Sequence, residues 1–226
     1  MVKRYQGVVY GREHQPLKWV KPEQLYEYHL PPADQPILTA LLLPEIYVIL
    51  DADHRTSGEL CIQIKKNLLR KRCLFLLRGK SIDSDRYKHL AIALLRFCEP
   101  LNVRLLLNSS VEQVTSLGAA GLHLSANAVA RLERRSLDPD LLFGVSCHNA
   151  AELRHAQYLN ADFAVLSPVH HTQSHPQAAP LGWEQFSALV DQVNVPVFAL
   201  GGLGFEDIAE AKQRGAQGVS GISAFQ

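Results

Sequence analysis

Two glycine-rich turns near the C-terminus carry the clearest chemical signal in this chain of 226 residues. The run Phe198-Ala199-Leu200 ends in Gly201-Gly202-Leu203-Gly204, where a bare backbone lets N–H groups approach a ligand closely. The last apolar run ends in Gly221-Ile222-Ser223-Ala224 and offers a second set of N–H groups. Gly201, Gly202, Ser223 and Ala224 together are suited to cradle a phosphate. Other polar residues stand just after apolar runs. Arg78-Gly79-Lys80 follows Cys73–Leu77, Asn108-Ser109 follows Val103–Leu107, and Ser146-Cys147-His148 follows Leu142–Val145. The segment from Ser167 to Thr172 contains His170 and His171 and continues as Gln173-Ser174-His175. Cations, imidazoles, hydroxyls and N–H turns are the inventory of a site for a small phosphorylated molecule. Within it, His148 is suited to proton transfer, because an imidazole titrates near neutral pH.

Some neighbouring residues carry less. Cys147 and His148 are adjacent on a strand and point to opposite sides, which excludes a nucleophile–base dyad. A zinc site from His148, His170, His171 and His175 lacks ligand spacing on rigid elements. A polar loop over an anionic ligand is the favoured reading of those imidazoles. His123 lies inside a strand and reads as a hydrogen-bonded interior residue.

The elements that must position these groups alternate between strand and helix. Eight β-rich runs appear: Tyr47–Leu50, Cys73–Leu77, Val103–Leu107, Gly121–Leu124, Leu142–Val145, Phe163–Leu166, Val197–Leu200 and Gly218–Ile222. Helical patterns lie between most of them, notably Asp85–Phe97, Ala150–Tyr158 and Glu206–Arg214. Eight such units predict a compact α/β fold, the (β/α)8 TIM barrel, with chemistry at the C-terminal ends of its strands. A doubly wound sheet would need a glycine fingerprint after the first strand, and Tyr47–Glu59 has none.

Residues 1–45 differ in texture. Val2–Tyr10 and Leu17–Val20 read as strands, and Pro22 opens a short helix over Glu23–Tyr26. Pro31-Pro32 makes an extended link, and Asp34 is placed to cap a helix over Gln35–Leu42. Two strands and a short helix cannot bury a core of their own, so this is an incomplete α+β segment.

Composition excludes several function classes. Hydrophobic residues are 47% and charged residues 20%, as in ordinary globular proteins. With Lys and Arg at 23 against Asp and Glu at 22, the net charge is +1. That leaves no global field to hold nucleic acid or an anionic membrane. The longest apolar stretch, Ile37–Leu50, is interrupted by Pro44 and Glu45 and is too short to span a bilayer. The first residues lack the apolar core of a signal peptide. Cys61, Cys73, Cys98 and Cys147 form no CxxC pair, so reduced thiols and a cytoplasmic location are expected. A homo-oligomer is compatible with this composition.

The ordered motifs LFLLRGK, LLLNSSVEQVTSLGAAGLHL, FGVSCHNAAELRHA, ADFAVLSPVHHTQSHP, PVFALGGL and GVSGISAF resemble those of the thiamine-phosphate synthase and TenI superfamily, over residues 45–226. The resemblance implies a compact barrel. It implies either Mg²⁺-dependent joining of a pyrimidine pyrophosphate to a thiazole phosphate, or metal-free thiazole tautomerisation by a His. Arg78 and Lys80 match the family's pyrophosphate-gripping Arg-x-Lys, and Asn108 matches the Asn of the third strand. Ser109 and Ala128 stand where the synthases carry metal-binding Asp residues, and neither offers an anionic oxygen. Thr172, Ser174 and His175 stand in place of Thr-x-Thr-Lys. Gly201, Gly202, Ser223 and Ala224 match the thiazole-phosphate cradle, and His148 matches the tautomerase His. The resemblance therefore implies a thiazole tautomerase-like activity without Mg²⁺ or another cofactor. A degenerate synthase is the alternative.

Residues 1–44 resemble the last third of a MutT-type Nudix hydrolase, through Gly11-Arg12-Glu13-His14-Gln15-Pro16, Lys18-Trp19-Val20 and Pro31-Pro32-Ala33. Asp34 replaces that family's base-contacting Asn, and the glutamate-bearing Nudix box is absent from this sequence. The expectation is a truncated or mis-started reading frame, with a Nudix domain fused upstream. A third function follows: a non-catalytic ligand-binding partner of an 8-oxo-dGTP-type Nudix hydrolase.

Overall fold

The computed structural model describes residues 6–31, 34–172 and 179–226. It divides into two compact units, Met1–Leu43 and Pro44–Gln226. The larger unit is a closed barrel of eight parallel strands in sequence order. They are β1 (Ile46–Asp51), β2 (Leu74–Arg78), β3 (Leu105–Leu107), β4 (Gly121–Leu124), β5 (Leu142–Cys147), β6 (Phe163–Leu166), β7 (Val197–Leu200) and β8 (Gly218–Gly221). Counting from α1 (Gln35–Leu42) in the first unit, the barrel carries α2 (Ser57–Leu68), α3 (Ser84–Cys98), α4 (Val111–Leu117), α5 (Ala126–Val129), α6 (Ala150–Tyr158), α7 (Gly182–Val190) and α8 (Ile208–Gln213).

Strand alternation sorts the residues. Ile46, Val48, Leu50, Phe75, Leu77, Val145, Cys147 and Leu166 join the apolar layer shared with the helices. Tyr47, Phe163 and Phe198 are fully buried, yet they stand outside that layer. Tyr47 and Phe163 have ring centroids 5.0 Å apart, although β1 and β6 are not neighbours in the sheet. They meet across the lumen, and Phe198 joins them at 5.5 Å from Phe163. The barrel is plugged rather than open.

Caps directly after the strands keep the loops short. Thr56 and Glu59 form a capping box at the start of α2. The side chains of Asp83, Ser110, Ser125 and Asn149 cap α3, α4, α5 and α6. At the other end, Glu45 holds the β8–β1 seam. Its carboxylate accepts from both Lys71 and Lys212, while its carbonyl accepts from the Val219 N–H at 3.0 Å. Lys212 and then Lys71 hold the Glu45 pKa below the usual carboxylate range.

Several boundaries differ from expectation. Val103 stays outside β3, because its N–H closes the end of α3 on the Cys98 carbonyl. The helix over 206–214 splits into a 3₁₀ turn, Phe205–Asp207, and α8, with the Asp207 carboxylate accepting from the Gly204 N–H at 2.8 Å. In the first unit, the described residues form a 3₁₀ turn at Pro22–Glu27 and α1, and no strand. The β part of the expected α+β segment is thus corrected for residues 6–10 and 17–20. An isolated strand has no ladder partner to satisfy its backbone. Residues 2–5 lie outside the described residues. Asp34 is also corrected, since it has helical dihedrals and makes no side-chain cap bond.

Gly218 is the tightest point of the seam. A Cβ there would lie 1.9 Å from the Glu45 carbonyl oxygen. Gly218→Ala is expected to destabilise the barrel by about 1–3 kcal/mol through overpacking. Thermal unfolding followed by circular dichroism checks this, and an unchanged midpoint contradicts it.

Candidate functional site

The inward residues at the C-terminal strand ends build one polar rim. Asp51 and Arg78 are register partners on β1 and β2, and their side chains pair at 2.6 Å. The expected anion-binding Arg78 is therefore already matched with a carboxylate, while its Nε is buried without a partner. The Asp53 carboxylate accepts from the backbone N–H groups of Lys80 and Ser81, each at 3.1 Å. That fixes the loop after β2 and leaves Lys80 exposed at its tip. Asn108 donates from Nδ2 to the His123 carbonyl at 2.8 Å, so it braces β3 against β4.

His123 is buried, as expected of an interior residue. Its Nδ1 lies 3.0 Å from the Tyr47 hydroxyl and its Nε2 lies 2.8 Å from the Ser146 Oγ. Burial, with a smaller effect from the Arg78 cation, pushes its pKa down to about 3. It is a neutral imidazole at any working pH.

His148 stands two residues beyond Ser146, with its side chain 52% exposed and open to a ligand. Its Nδ1 lies 2.9 Å from Glu152 Oε2, and the same oxygen accepts the His148 backbone N–H at 2.7 Å. Asn149 Nδ2 donates to the other oxygen at 2.9 Å. Glu152 thus turns Nε2 of His148 outward. Cys147 faces the helix layer, where burial drives its thiol pKa up to about 12. It is no partner for His148.

The first of the two turns expected to cradle phosphate is held by close packing. Gly201 has φ +120° and Gly202 φ +69°, conformations that favour glycine. A Cβ on Gly201 would lie 2.9 Å from the Val169 nitrogen, and one on Gly202 would lie 3.2 Å from His170 Cβ. The loop after β6 is tied to this turn, with Val169 N–H donating to the Leu200 carbonyl and His170 N–H to that of Gly201. Ser223 and Ala224 are exposed at the start of a 3₁₀ turn anchored by buried Phe225. The first N–H groups of such a turn have no partner within it.

Thr172 is half-buried near the end of the described part of the β6 loop. Ser174 and His175 lie outside the described residues. The His170 ring stacks edge-on against Trp183, at 5.7 Å. Among the described residues no three His, Cys, Asp or Glu side chains come together to hold a metal ion. The donor set does not fit Mg²⁺ either. Ser109 directs its hydroxyl at the Ser110 carbonyl, Ala128 is an alanine, and Asp51 is already neutralised by Arg78.

Sequence reasoning missed Asp51, Asp53 and Glu152. The signals were present: Asp51-Ala52-Asp53 directly follows an apolar run, and Glu152 lies four residues after His148 on a helix start.

A family model described as Thiamine monophosphate synthase matches residues 46–225. The chain is 32% identical over 185 residues to "Putative thiamine-phosphate synthase 2" of Aquifex aeolicus, covering 81% of this chain and 98% of that one. It is 30% identical to the thiamine-phosphate synthase of Roseiflexus sp. (strain RS-1), covering 79% and 77%. Among solved structures, a thiamine phosphate pyrophosphorylase from Pyrococcus furiosus superposes with a TM-score of 0.62 at 20% identity, covering 80% of this chain and 86% of that one. That likeness is one of fold.

The depressed pKa of His123 makes the barrel acid-sensitive. The unfolded imidazole binds a proton below about pH 6.5 while the folded one resists until about 3. This contribution is fully present above the unfolded pKa and lost as pH falls below it. Stability is expected to drop by about 1.4 kcal/mol per pH unit from this group between about pH 6 and 4. Urea melts across that range check the slope, and a flat profile contradicts it.

Proposed function

The chain belongs to the thiamine-phosphate synthase and TenI family, and from that premise we propose that its barrel binds a thiazole phosphate and catalyses metal-independent proton transfer on the thiazole ring. One observation carries this reading. The rim keeps two N–H turns and a Glu-held imidazole, while the positions that need Mg²⁺-binding carboxylates are Ser109 and Ala128. The phosphate sits on the turns at Gly201-Gly202 and Ser223-Ala224, where backbone N–H groups donate to its oxygens. The ring then reaches the end of β5. His148 Nε2 takes a proton from one ring-system atom and returns one to another, with no net gain or loss. Glu152, on Nδ1, stabilises the imidazolium formed between the two transfers. Lys80 supplies a second cation over the rim, and the reaction proceeds in the cytoplasm.

A second reading, thiamine-phosphate synthesis, is favoured by the names of the relatives and by Arg78, Lys80 and Asn108 on one rim. The two readings part on Mg²⁺. The first expects no saturable Mg²⁺-dependent rise in melting temperature, with or without pyrophosphate.

For residues 1–44 we infer the C-terminal piece of a Nudix-type domain that acts with the barrel. The support is the sequence resemblance and the exposure of Leu17 and Ile37, at 50% and 60%, in a unit with little core. Limited proteolysis is expected to cut before Pro44 and leave a barrel-sized product. Slow cleavage without that product contradicts it.

The site itself is tested by two substitutions. Gly202→Asp sets a carboxylate against the phosphate and is expected to abolish calorimetric binding of thiazole phosphate. His148→Asn is expected to retain that binding and lose turnover by roughly 10²–10⁴-fold. Unchanged affinity in the first removes the cradle, and full activity in the second removes His148 as the base.

A further inference from the structure

Tyr47, His123 and Ser146 form a hydrogen-bonded file from the lumen of the barrel to its rim. Tyr47 is 0% exposed and His123 is 4% exposed. The Tyr47 hydroxyl reaches Nδ1 at 3.0 Å, and Nε2 reaches the Ser146 Oγ at 2.8 Å. Three strands, β1, β4 and β5, contribute one residue each. Gly144 clears the space beside the imidazole, since a Cβ there would lie 2.7 Å from Nδ1.

A neutral imidazole has one donor and one acceptor, so two proton arrangements exist. In one, the Tyr47 O–H donates to Nδ1, the Nε2–H donates to Oγ, and the Ser146 proton is free to donate elsewhere. In the other, Ser146 donates to Nε2, and Nδ1–H donates to the Tyr47 oxygen. The Tyr47 O–H, on a fully buried residue, would then have no acceptor among the described residues. A buried donor without an acceptor is a costly defect, so the first arrangement holds.

We propose that Tyr47 and His123 are positioning residues that fix the Ser146 hydroxyl as a hydrogen-bond donor at the rim, so that the site selects ligand rings presenting a lone pair there. The placement of the ring rests on the function proposed above, because His148 lies two residues further along the same strand end. A thiazole nitrogen is an acceptor of the required kind. An alkylated thiazolium nitrogen is not.

The first half is read without any ligand. Long-range proton–nitrogen correlation on ¹⁵N-labelled wild-type protein reports which ring nitrogen is protonated. The His123 ring is identified by its contacts with the Tyr47 and Phe163 rings. The expected spectrum has Nε2 protonated, Nδ1 bare and no titration from about pH 5 to about pH 8. A protonated Nδ1, or an imidazolium at neutral pH, overturns the relay whether or not the barrel binds a thiazole. The second half compares thiazole phosphate with its N-methylthiazolium derivative. Ser146→Ala is expected to weaken the first about tenfold and leave the second unchanged. An equal effect on both overturns the selection. Failure of wild-type protein to bind either compound contradicts the selection and the proposed function together, and the relay then stands or falls on the spectrum.

Discussion

Everything at the rim depends on how the lumen is filled. Strands of three to six residues close into a cylinder whose inside must be packed from a few positions. Here Tyr47, Phe163 and Phe198 meet in edge-on and tilted contacts between 5.0 and 5.6 Å. The His123 imidazole lies against Phe163 at 6.1 Å. This aromatic plug fills the lumen below the rim, where His123 and Ser220 are the buried polar side chains on the strands among the described residues. It also explains why a histidine is tolerated inside: its nitrogens are matched by Tyr47 and Ser146, and its charge is suppressed.

Above the plug, strand alternation decides which side chains face a ligand. Asp51, Arg78, Asn108 and Ser146 occupy inward positions at strand ends, and outward neighbours such as Cys147 belong to the apolar layer. The cradle obeys a second constraint. Gly201 and Gly202 are required by the approach of the β6 loop as well as by their dihedrals. Of the two, Gly201 is buried by this packing and Gly202 is exposed. Glu152 likewise serves two purposes, closing the N-terminus of α6 and orienting His148.

Much of this was legible in the sequence. The eight apolar runs marked the strands to within about two residues. Arg78, Asn108 and Ser146 lie at inward strand ends on one face, because a parallel barrel places every strand end there. What could not be read was pairing. Nothing in the spacing of Asp51 and Arg78 says that they neutralise one another, since that follows from the β1–β2 register. His123 was recognisable as interior, yet its partners lie 76 and 23 residues away in sequence. The N-terminal strands failed for the opposite reason: local β propensity is satisfied only when a partner strand exists.

The central claim is that this rim performs proton transfer on a thiazole phosphate without a metal. The most direct measurement is proton NMR of a thiazole carboxylate phosphate incubated with the protein and excess chelator. A parallel sample contains thiazole phosphate, the pyrimidine pyrophosphate and Mg²⁺. The account predicts isomerisation in the chelated sample and no joined product in the other. Joined product that forms only with Mg²⁺, with the carboxylate left unchanged, would contradict it.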